Sequence, residues 1–351
     1  MVEIDGSYGE GGGQILRSSL TLSALTGMPL HIHHIRTNRD QPGLRQQHLT
    51  AVKAIGRITR AEVQGATLNS TELTLKPKGI HAGKYQFDIP TAGALTLVLQ
   101  TIFLPLSFAD GTSWVALTGG THVHWSPIYH YLQEHWLPIM DELGLRLKIA
   151  LGKAGFFPGG GGEVTLKVLQ AKSLKPFTCT DRGDLVTIRG LSGVANLEDD
   201  IAKRQKHQAL KRLYDVCQNS KIKTMRLPAP GKGTFVLLKA DFANCGSACF
   251  TALGAPGKPA EQVADEAVDQ LMDFFDTDGC LDHFLADQLL LPLSFVRRMS
   301  KFRTDAITGH LRTNAHVIQQ FLPVAIEIEG EENTPGLVRV KGISPDSLPI
   351  I

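Results

Sequence analysis

Four stretches of this 351-residue chain gather side chains able to do polar chemistry. In Gly9-Glu-Gly-Gly-Gly-Gln-Ile-Leu-Arg17 a glycine run leads into an apolar-periodic segment. Glycines at a helix N-terminus turn backbone N–H groups and the positive dipole end towards an anion. Arg17 adds a fork of donors one turn later, and Glu10 can hold a divalent metal or orient a hydroxyl. A tight turn needing φ > 0 would use the same glycines, and the spacing matches neither a P-loop nor G-x-G-x-x-G. Arg36, Arg39 and Arg45 surround Pro42-Gly43, either as a bidentate anion site or as a solvated loop. Asp287 and Gln288 interrupt the apolar run Asp282 to Pro292, as pocket groups or as its wet face. His310, in Thr308-Gly-His-Leu-Arg-Thr-Asn314, follows a glycine at an expected strand end, where an imidazole is either a nucleophile or a solvent-facing ring.

Two other groups look less chemical. His31, His33, His34, His122 and His124 read as ordinary strand residues, with no carboxylate at suitable spacing. Cys179, Cys217, Cys245, Cys249 and Cys280 are odd in number and scattered, which predicts reduced thiols in a cytoplasm. Cys245-x-x-x-Cys249 has no second pair nearby, which argues against zinc.

The elements that must position these groups follow from periodicity. Val2 and Ile4 alternate as a strand, Ile15 to Leu25 repeats as a helix stopped by Gly27, and Leu30 to Ile35 alternates again. Gln47 to Ile58 is an amphipathic helix and Thr71 to Lys76 a strand. The order recurs as strand Tyr85 to Ile89, helix Ala94 to Phe108, strand Ser113 to Thr118, helix Pro127 to Leu143 and strand Leu145 to Ala150. A third unit is expected to begin at the glycine run after Phe157, with strand Glu163 to Val168, and to resume at the helix Asp282 to Leu291. Between them, Val186 to Arg189, Glu198 to Cys217, Lys223 to Leu227, Thr234 to Ala240 and Pro259 to Phe275 read βαββα, a small inserted domain. The expected division is therefore 1–182 with 279–345 as a large repeat-built domain, and 183–278 as the insertion.

Composition narrows the class. Lys+Arg is 36 against Asp+Glu 34, a net charge of +2, and 42% of residues are hydrophobic. That excludes a strongly basic tail and an acidic disordered chain, and supports a sizeable core. No secretory signal is expected, and the apolar stretch Ala94 to Ala109, interrupted by Gln100 and Pro105, is too short to span a bilayer. A soluble, cytoplasmic protein without a membrane partner is expected; the oligomeric state stays open.

Taken together, the motifs resemble the RNA 3′-terminal phosphate cyclase family. They are Asp5-Gly-x-x-Gly-Glu-Gly-Gly-Gly-Gln-Ile-Leu-Arg17, Pro42-Gly-Leu-x-x-Gln-His-Leu-Thr-Ala-Val-Lys53, Leu97-Val-Leu-Gln-Thr101, Gly119-Gly-Thr121, Phe157-Pro-x-Gly-Gly-Gly, Leu285-Ala-Asp-Gln-Leu289 and His310-Leu-x-Thr-Asn314. They run in order from about Val2 to Pro323. The resemblance implies an α/β (α+β) fold of three repeated βαβαββ units, each a four-stranded sheet with two helices, plus a small inserted α/β domain. It implies ATP-dependent conversion of an RNA 3′-phosphate to a 2′,3′-cyclic phosphodiester, through a histidine–AMP and an RNA-(3′)pp(5′)A intermediate.

Carried over by motif, His310 is the nucleophile and Glu10 lies near the metal, Mg²⁺ or Mn²⁺, and the phosphates. Gln14, Arg17, Arg36, Arg39 and Gln47 surround the ATP phosphates and the RNA end. Gln100, Pro127, Tyr131, Phe284, Leu285, Ala286, Asp287 and Gln288 form the nucleotide pocket, with Tyr131 and Phe284 offering aromatic faces to adenine. The implied partners are ATP and RNA with a 3′-phosphate end. The chain departs from the family in His122-Val-His-Trp-Ser-Pro127 and in the basic stretch Phe295 to Thr308, with Arg297, Arg298, Lys301 and Arg303, which reads as an RNA contact or a solvated loop. Two rival readings are a non-catalytic RNA- or ribosome-biogenesis-binding relative, which would lack the nucleophilic histidine, and an enolpyruvyl-type transferase with a related repeat, which would form no enzyme–AMP bond.

Overall fold

The structure, a computed structural model, describes residues 1–345. The first unit runs β1 (Val2–Asp5), α1 (Gly13–Thr26), β2 (Leu30–His33), α2 (Gln46–Thr59), β3 (Glu62–Gln64) and β4 (Leu73–Lys76). The second runs β5 (Lys84–Asp88), α3 (Leu95–Phe108), β6 (Ser113–Gly119), a helical stretch of α4 (Tyr129–Tyr131), a π-helical turn (Leu132–Trp136) and α5 (Leu137–Glu142), then β7 (Leu147–Lys153) and β8 (Gly162–Val168). Their sheets have the orders β1-β2-β4-β3 and β5-β6-β8-β7, with the same pairing senses: the first strand parallel to the second, the others antiparallel.

β8 therefore closes the second unit. The third does not begin at the Phe157 glycine run, as the sequence suggested; it begins at β9 (Thr178–Cys179), two residues too few to show a period. The inserted segment follows: β10 (Leu185–Ala195), α6 (Asp199–Leu213), β11 (Lys221–Arg226), β12 (Gly233–Phe242), β13 (Ser247–Leu253) and α7 (Ala260–Phe275). The third unit then continues with α8 (His283–Leu293), β14 (Ser300–Thr304), α9 (Gly309–Phe321), β15 (Ala325–Glu329) and β16 (Gly336–Lys341). Its sheet, β9-β14-β16-β15, repeats the pairing of the first two.

The inserted sheet is ordered β11-β10-β12-β13, a different topology, and α6 and α7 cover it. It encloses its own apolar cluster, including Ile188, Val236, Phe250, Val263 and Phe274. β13 adds a strand to the expected βαββα. It is buried on both faces, so it reads as a continuous small apolar run without alternation. β14 replaces the expected basic loop: Phe302 points into the core, Lys301 points out, and Arg303 pairs with Asp278.

α1 lies at the centre, against α2, α3 and α9. Its small hydroxyl residues allow close approach and satisfy themselves locally. Ser19 and Thr26 donate to the carbonyls of Ile15 (2.7 Å) and Leu22 (2.8 Å), and Thr21 donates to the Thr101 carbonyl of α3 at 2.8 Å. No helix of the described residues is long and apolar enough to cross a membrane.

Candidate active site

His310 lies in the first turn of α9, not at a strand end. Thr308 caps that helix, accepting the Leu311 N–H at 2.9 Å, and Leu311, Ala315 and Ile318 bury its inner face. Beside it the start of α1 is uncapped: Gly12 is extended and no side chain bonds the first N–H groups. Gly9 and Gly11 have φ +60° and +55°, and a Cβ on Gly9 would fall 2.3 Å from the Thr313 hydroxyl, so this turn must be glycine to meet α9. Two helix N-termini thus converge.

Glu10 sits between them. Its Oε2 is 3.0 Å from His310 Nε2 and 3.7 Å from Arg39 Nη2. His310 Nδ1 is sealed from solvent with no hydrogen-bond partner, so Nε2 is the nitrogen a ligand can reach. Burial lowers the His310 pKa below its ordinary value. Glu10 opposes that, while the charges of Arg17 and Arg39 add to it, so the ring is neutral at pH 7. Arg17 is partly buried at the cavity wall, and the loss of water lowers its pKa to about 10 and leaves it charged. His48 is neutral, pushed down to about 3 by burial and by Arg17, Arg36 and Arg45.

A hydrogen-bonded chain joins the helices behind this centre. Arg17 donates to Gln14 Oε1 (2.6 Å), Gln14 Nε2 and the Ser18 hydroxyl donate to Asn314 Oδ1 (3.0 and 2.6 Å), and Asn314 Nδ2 donates to the Asp287 carbonyl (3.0 Å). The Thr308 hydroxyl donates to Asp287 Oδ1 at 2.6 Å. Burial nevertheless raises Asp287 to about 7. Above that pH a buried charge opposes folding. Asp287→Asn is therefore expected to raise Tm more at pH 8 than at pH 5, where the native carboxyl is already neutral; equal shifts at both would refute it.

A cavity of about 500 Å³ opens from His310 between the large unit and the insertion. Gln14, Arg17 and Asn314 line its polar end. Leu97, Gln100, Pro127, Tyr131, Phe284 and Gln288 line its middle, and Thr251, Leu253, Glu266 and Gln270 of the insertion close it. A pocket with an apolar wall, a cationic end and a neutral imidazole suits a nucleoside polyphosphate.

The profile of the family described as RNA 3′-terminal phosphate cyclase matches residues 8–328. The RNA 3′-terminal phosphate cyclase of Nostoc punctiforme is 40% identical over 98% of this chain and 100% of its own. The chain belongs to the RNA 3′-terminal phosphate cyclase family. The proteins of that name from Gloeothece citriformis (42% identical, 95% of this chain and 97% of that one) and Methanopyrus kandleri (40%, 97% and 99%) are similarly close. A solved enolpyruvyl transferase, NikO from Streptomyces tendae, is 12% identical, with a TM-score of 0.39 over 99% of this chain and 49% of that one, too slight a likeness to bear on fold or chemistry.

Of the residues the cyclase resemblance assigned, His310, Gln14, Arg17, Gln100, Pro127, Tyr131, Phe284, Asp287 and Gln288 line one cavity. Asp287 and Gln288 face it instead of lying on a wet helix face, and Gln100 Nε2 donates to Gln288 Oε1. Glu10 and Arg39 stand at the glycine turn; a Cβ on Gly12 would be 3.0 Å from Arg39 Nη2. Four others lie elsewhere. Leu285 and Ala286 point into the core of the cyclase fold, fully buried on the opposite side of α8. Gln47 accepts the Ala94 N–H at 2.9 Å, joining the first unit to the start of α3. Arg36 has φ +54° and donates to the Gln41 and Gly43 carbonyls (2.8 and 3.0 Å), which shapes its loop.

Asn314 and Thr308 stand in the His310 stretch without an assigned role, and Ser18 has no signature in the sequence; Thr308 occupies a capping position before Leu311. Asp282, likewise without an assigned role, is wholly buried and bonded to Tyr131 OH (2.9 Å), His135 Nε2 (2.6 Å) and the N–H groups of Leu285 (3.0 Å) and Cys249 (3.1 Å). The histidines are not all plain strand residues. Asp5 Oδ1 lies 3.2 Å from His34 Nδ1, and His122 is buried, with Nε2 2.8 Å from His130 Nδ1.

Proposed function

We propose that this chain uses ATP to convert an RNA 3′-terminal phosphate into a 2′,3′-cyclic phosphodiester, with His310 as the covalent carrier of AMP. One observation carries the reading: a histidine with one accessible nitrogen stands where the glycine turn meets the cavity. In the tautomer that keeps the ring proton on Nδ1, the Nε2 lone pair attacks the α-phosphorus, an N–P bond forms, and the P–O bond to pyrophosphate breaks with its electron pair leaving on pyrophosphate. The uncapped α1 N-terminus, Arg17 and Arg39 supply positive charge where negative charge gathers.

The RNA 3′-phosphate oxygen then attacks the adenylate, releasing His310 and giving RNA-(3′)pp(5′)A. The vicinal 2′-hydroxyl attacks the 3′-phosphorus, loses its proton to solvent and expels AMP. That closure is intramolecular, where positioning is worth effective molarities on the order of 10⁵–10⁸ M.

Glu10 fits a divalent ion. A Cβ on Gly309 would lie 2.9 Å from Glu10 Oε1 and 3.3 Å from Glu332 Oε1, so two carboxylates face a cradle that glycine leaves open. Mg²⁺ characteristically takes one or two carboxylates plus substrate phosphates. Mg²⁺ or Mn²⁺ there would withdraw charge from the ATP phosphates. We further propose that 183–278 acts as an inserted domain closing the adenine end of the pocket, and that the protein works in the cytoplasm.

The test is to incubate a 3′-phosphorylated RNA with the protein, ATP and Mg²⁺ and ask whether the end becomes phosphatase-resistant. Conversion is expected; an unchanged end with folded, ATP-binding protein would overturn the reading. Arg39→Ala is expected to lower kcat/KM by roughly 10- to 150-fold, the loss of a charge-assisted contact of ~1.5–3 kcal/mol. Near-normal kinetics would remove Arg39 from the site.

A further inference from the structure

Three cysteines far apart in sequence converge where the inserted segment leaves and re-enters the large unit. Cys179 ends β9, Cys245 precedes β13 and Cys280 precedes α8. Their Sγ atoms all lie within 4.8 Å of one another; Cys179 and Cys280 are buried and Cys245 is partly exposed. All three are free thiols. The crossing is this close because residue 246 is glycine. It has φ +80°, and a Cβ there would fall 2.2 Å from the Cys280 carbonyl oxygen and 2.8 Å from Cys179 Sγ.

We infer that Cys179, Cys245 and Cys280 form a site for one Zn²⁺ ion that clasps the root of the inserted segment to the large unit. Zn–S bonds of about 2.3 Å place sulfurs roughly 3.8 Å apart around a tetrahedral centre. A 4.8 Å limit leaves that within reach of small side-chain rotations. On binding, each thiol gives its proton to solvent and its sulfur lone pair to the metal. Three thiolates and Zn²⁺ leave one net negative charge. Arg303 runs alongside, its carbonyl accepting the Cys280 N–H at 3.1 Å, and Arg182 and Arg303 place positive charge beside the group. Arg182 is fixed there, donating to the carbonyls of Phe275 (3.1 Å) and Gly279 (2.9 Å), and Arg303 keeps a buried Nε–H without a partner.

Three sulfurs leave a fourth position for water on the side of the partly exposed Cys245. Sequence spacing concealed the site because Cys249, the local partner of Cys245, is not in the group and lines the cavity instead. β13 and α8, which start beside the site, both line the cavity, so the clasp sets the distance between its two walls.

The test is metal titration of the full, reduced, chelator-treated chain. Co²⁺ is expected to bind once per chain, with a thiolate-to-cobalt charge-transfer band that Zn²⁺ bleaches. Removing a group that merely orients a ligand costs about 10–100-fold in affinity, so Cys245→Ser, which removes a ligand, is expected to cost at least about 100-fold. Cys217→Ser, outside the group, is expected to leave binding unchanged. No band from protein with all five thiols free would overturn the inference. So would a band that survives in Cys245→Ser, or a disulfide among the three in metal-free protein.

Discussion

Replacing His310 by alanine is expected to abolish the covalent adenylate and to lower cyclisation by at least about 10⁴-fold, on the scale of losing an enzyme nucleophile. The size follows from what remains. Neither Glu10 nor Arg39 can replace a neutral nitrogen nucleophile, because one is an anion facing phosphates and the other a cation. The cavity would still bind ATP through α1, Arg17 and the Gln100–Gln288 wall, so affinity should fall far less than turnover. Titration calorimetry with ATP and a cyclisation assay on the same sample separate the two. A variant that still labels fully would move the nucleophile elsewhere.

The largest effect on stability is expected at Asp282, which opens the Asp282 to Pro292 stretch and whose partners lie far away in the chain. Asp282→Ala leaves four partners without their acceptor: His135, the Tyr131 hydroxyl and the N–H groups of Leu285 and Cys249. Breaking a buried ion pair by removing one member costs about 3–5 kcal/mol, which at about 2–4 °C per kcal/mol lowers Tm by roughly 6–20 °C. Asp282→Asn is expected to lose less, since an amide oxygen still accepts the Leu285 N–H. Burial alone would raise the Asp282 pKa, but the charge and hydrogen bond of His135 hold it below 3.8. Its contribution is therefore present above about pH 4 and is lost as pH falls through the lowered value, so the deficit should shrink in acid. Because α8 carries Phe284, Asp287 and Gln288, ATP affinity should fall too. An unchanged melting curve would show that the buried pair is not a keystone.

Much of this was legible in the residues. Helices such as Gln46–Thr59 and Ala260–Phe275 have one apolar face, and strands such as Leu73–Lys76 alternate. The glycine turn, Arg17 and the Asp287-Gln288 pair stood out because glycines and polar residues broke an apolar pattern. What stayed hidden had no local signal. β9 is too short to show a period, β13 is apolar on both faces, and the start of the third unit is defined only by the pairing of Thr178 with Lys301. Asn314, Asp282 and the three converging cysteines acquire meaning through partners distant in the chain. The glycine before His310 suggests a strand end, whereas the threonine two residues earlier is the cap of a helix.

All of this chemistry depends on His310 holding AMP covalently. The direct measurement is the intact mass of the protein after incubation with ATP and Mg²⁺, kept out of acid because a histidine phosphoramidate is labile there. One added adenylyl group is expected, carried by the peptide containing His310, lost on acid treatment and passed on when 3′-phosphorylated RNA is supplied. Protein that binds ATP and shows no added mass, or an acid-stable adduct on a lysine, would contradict it.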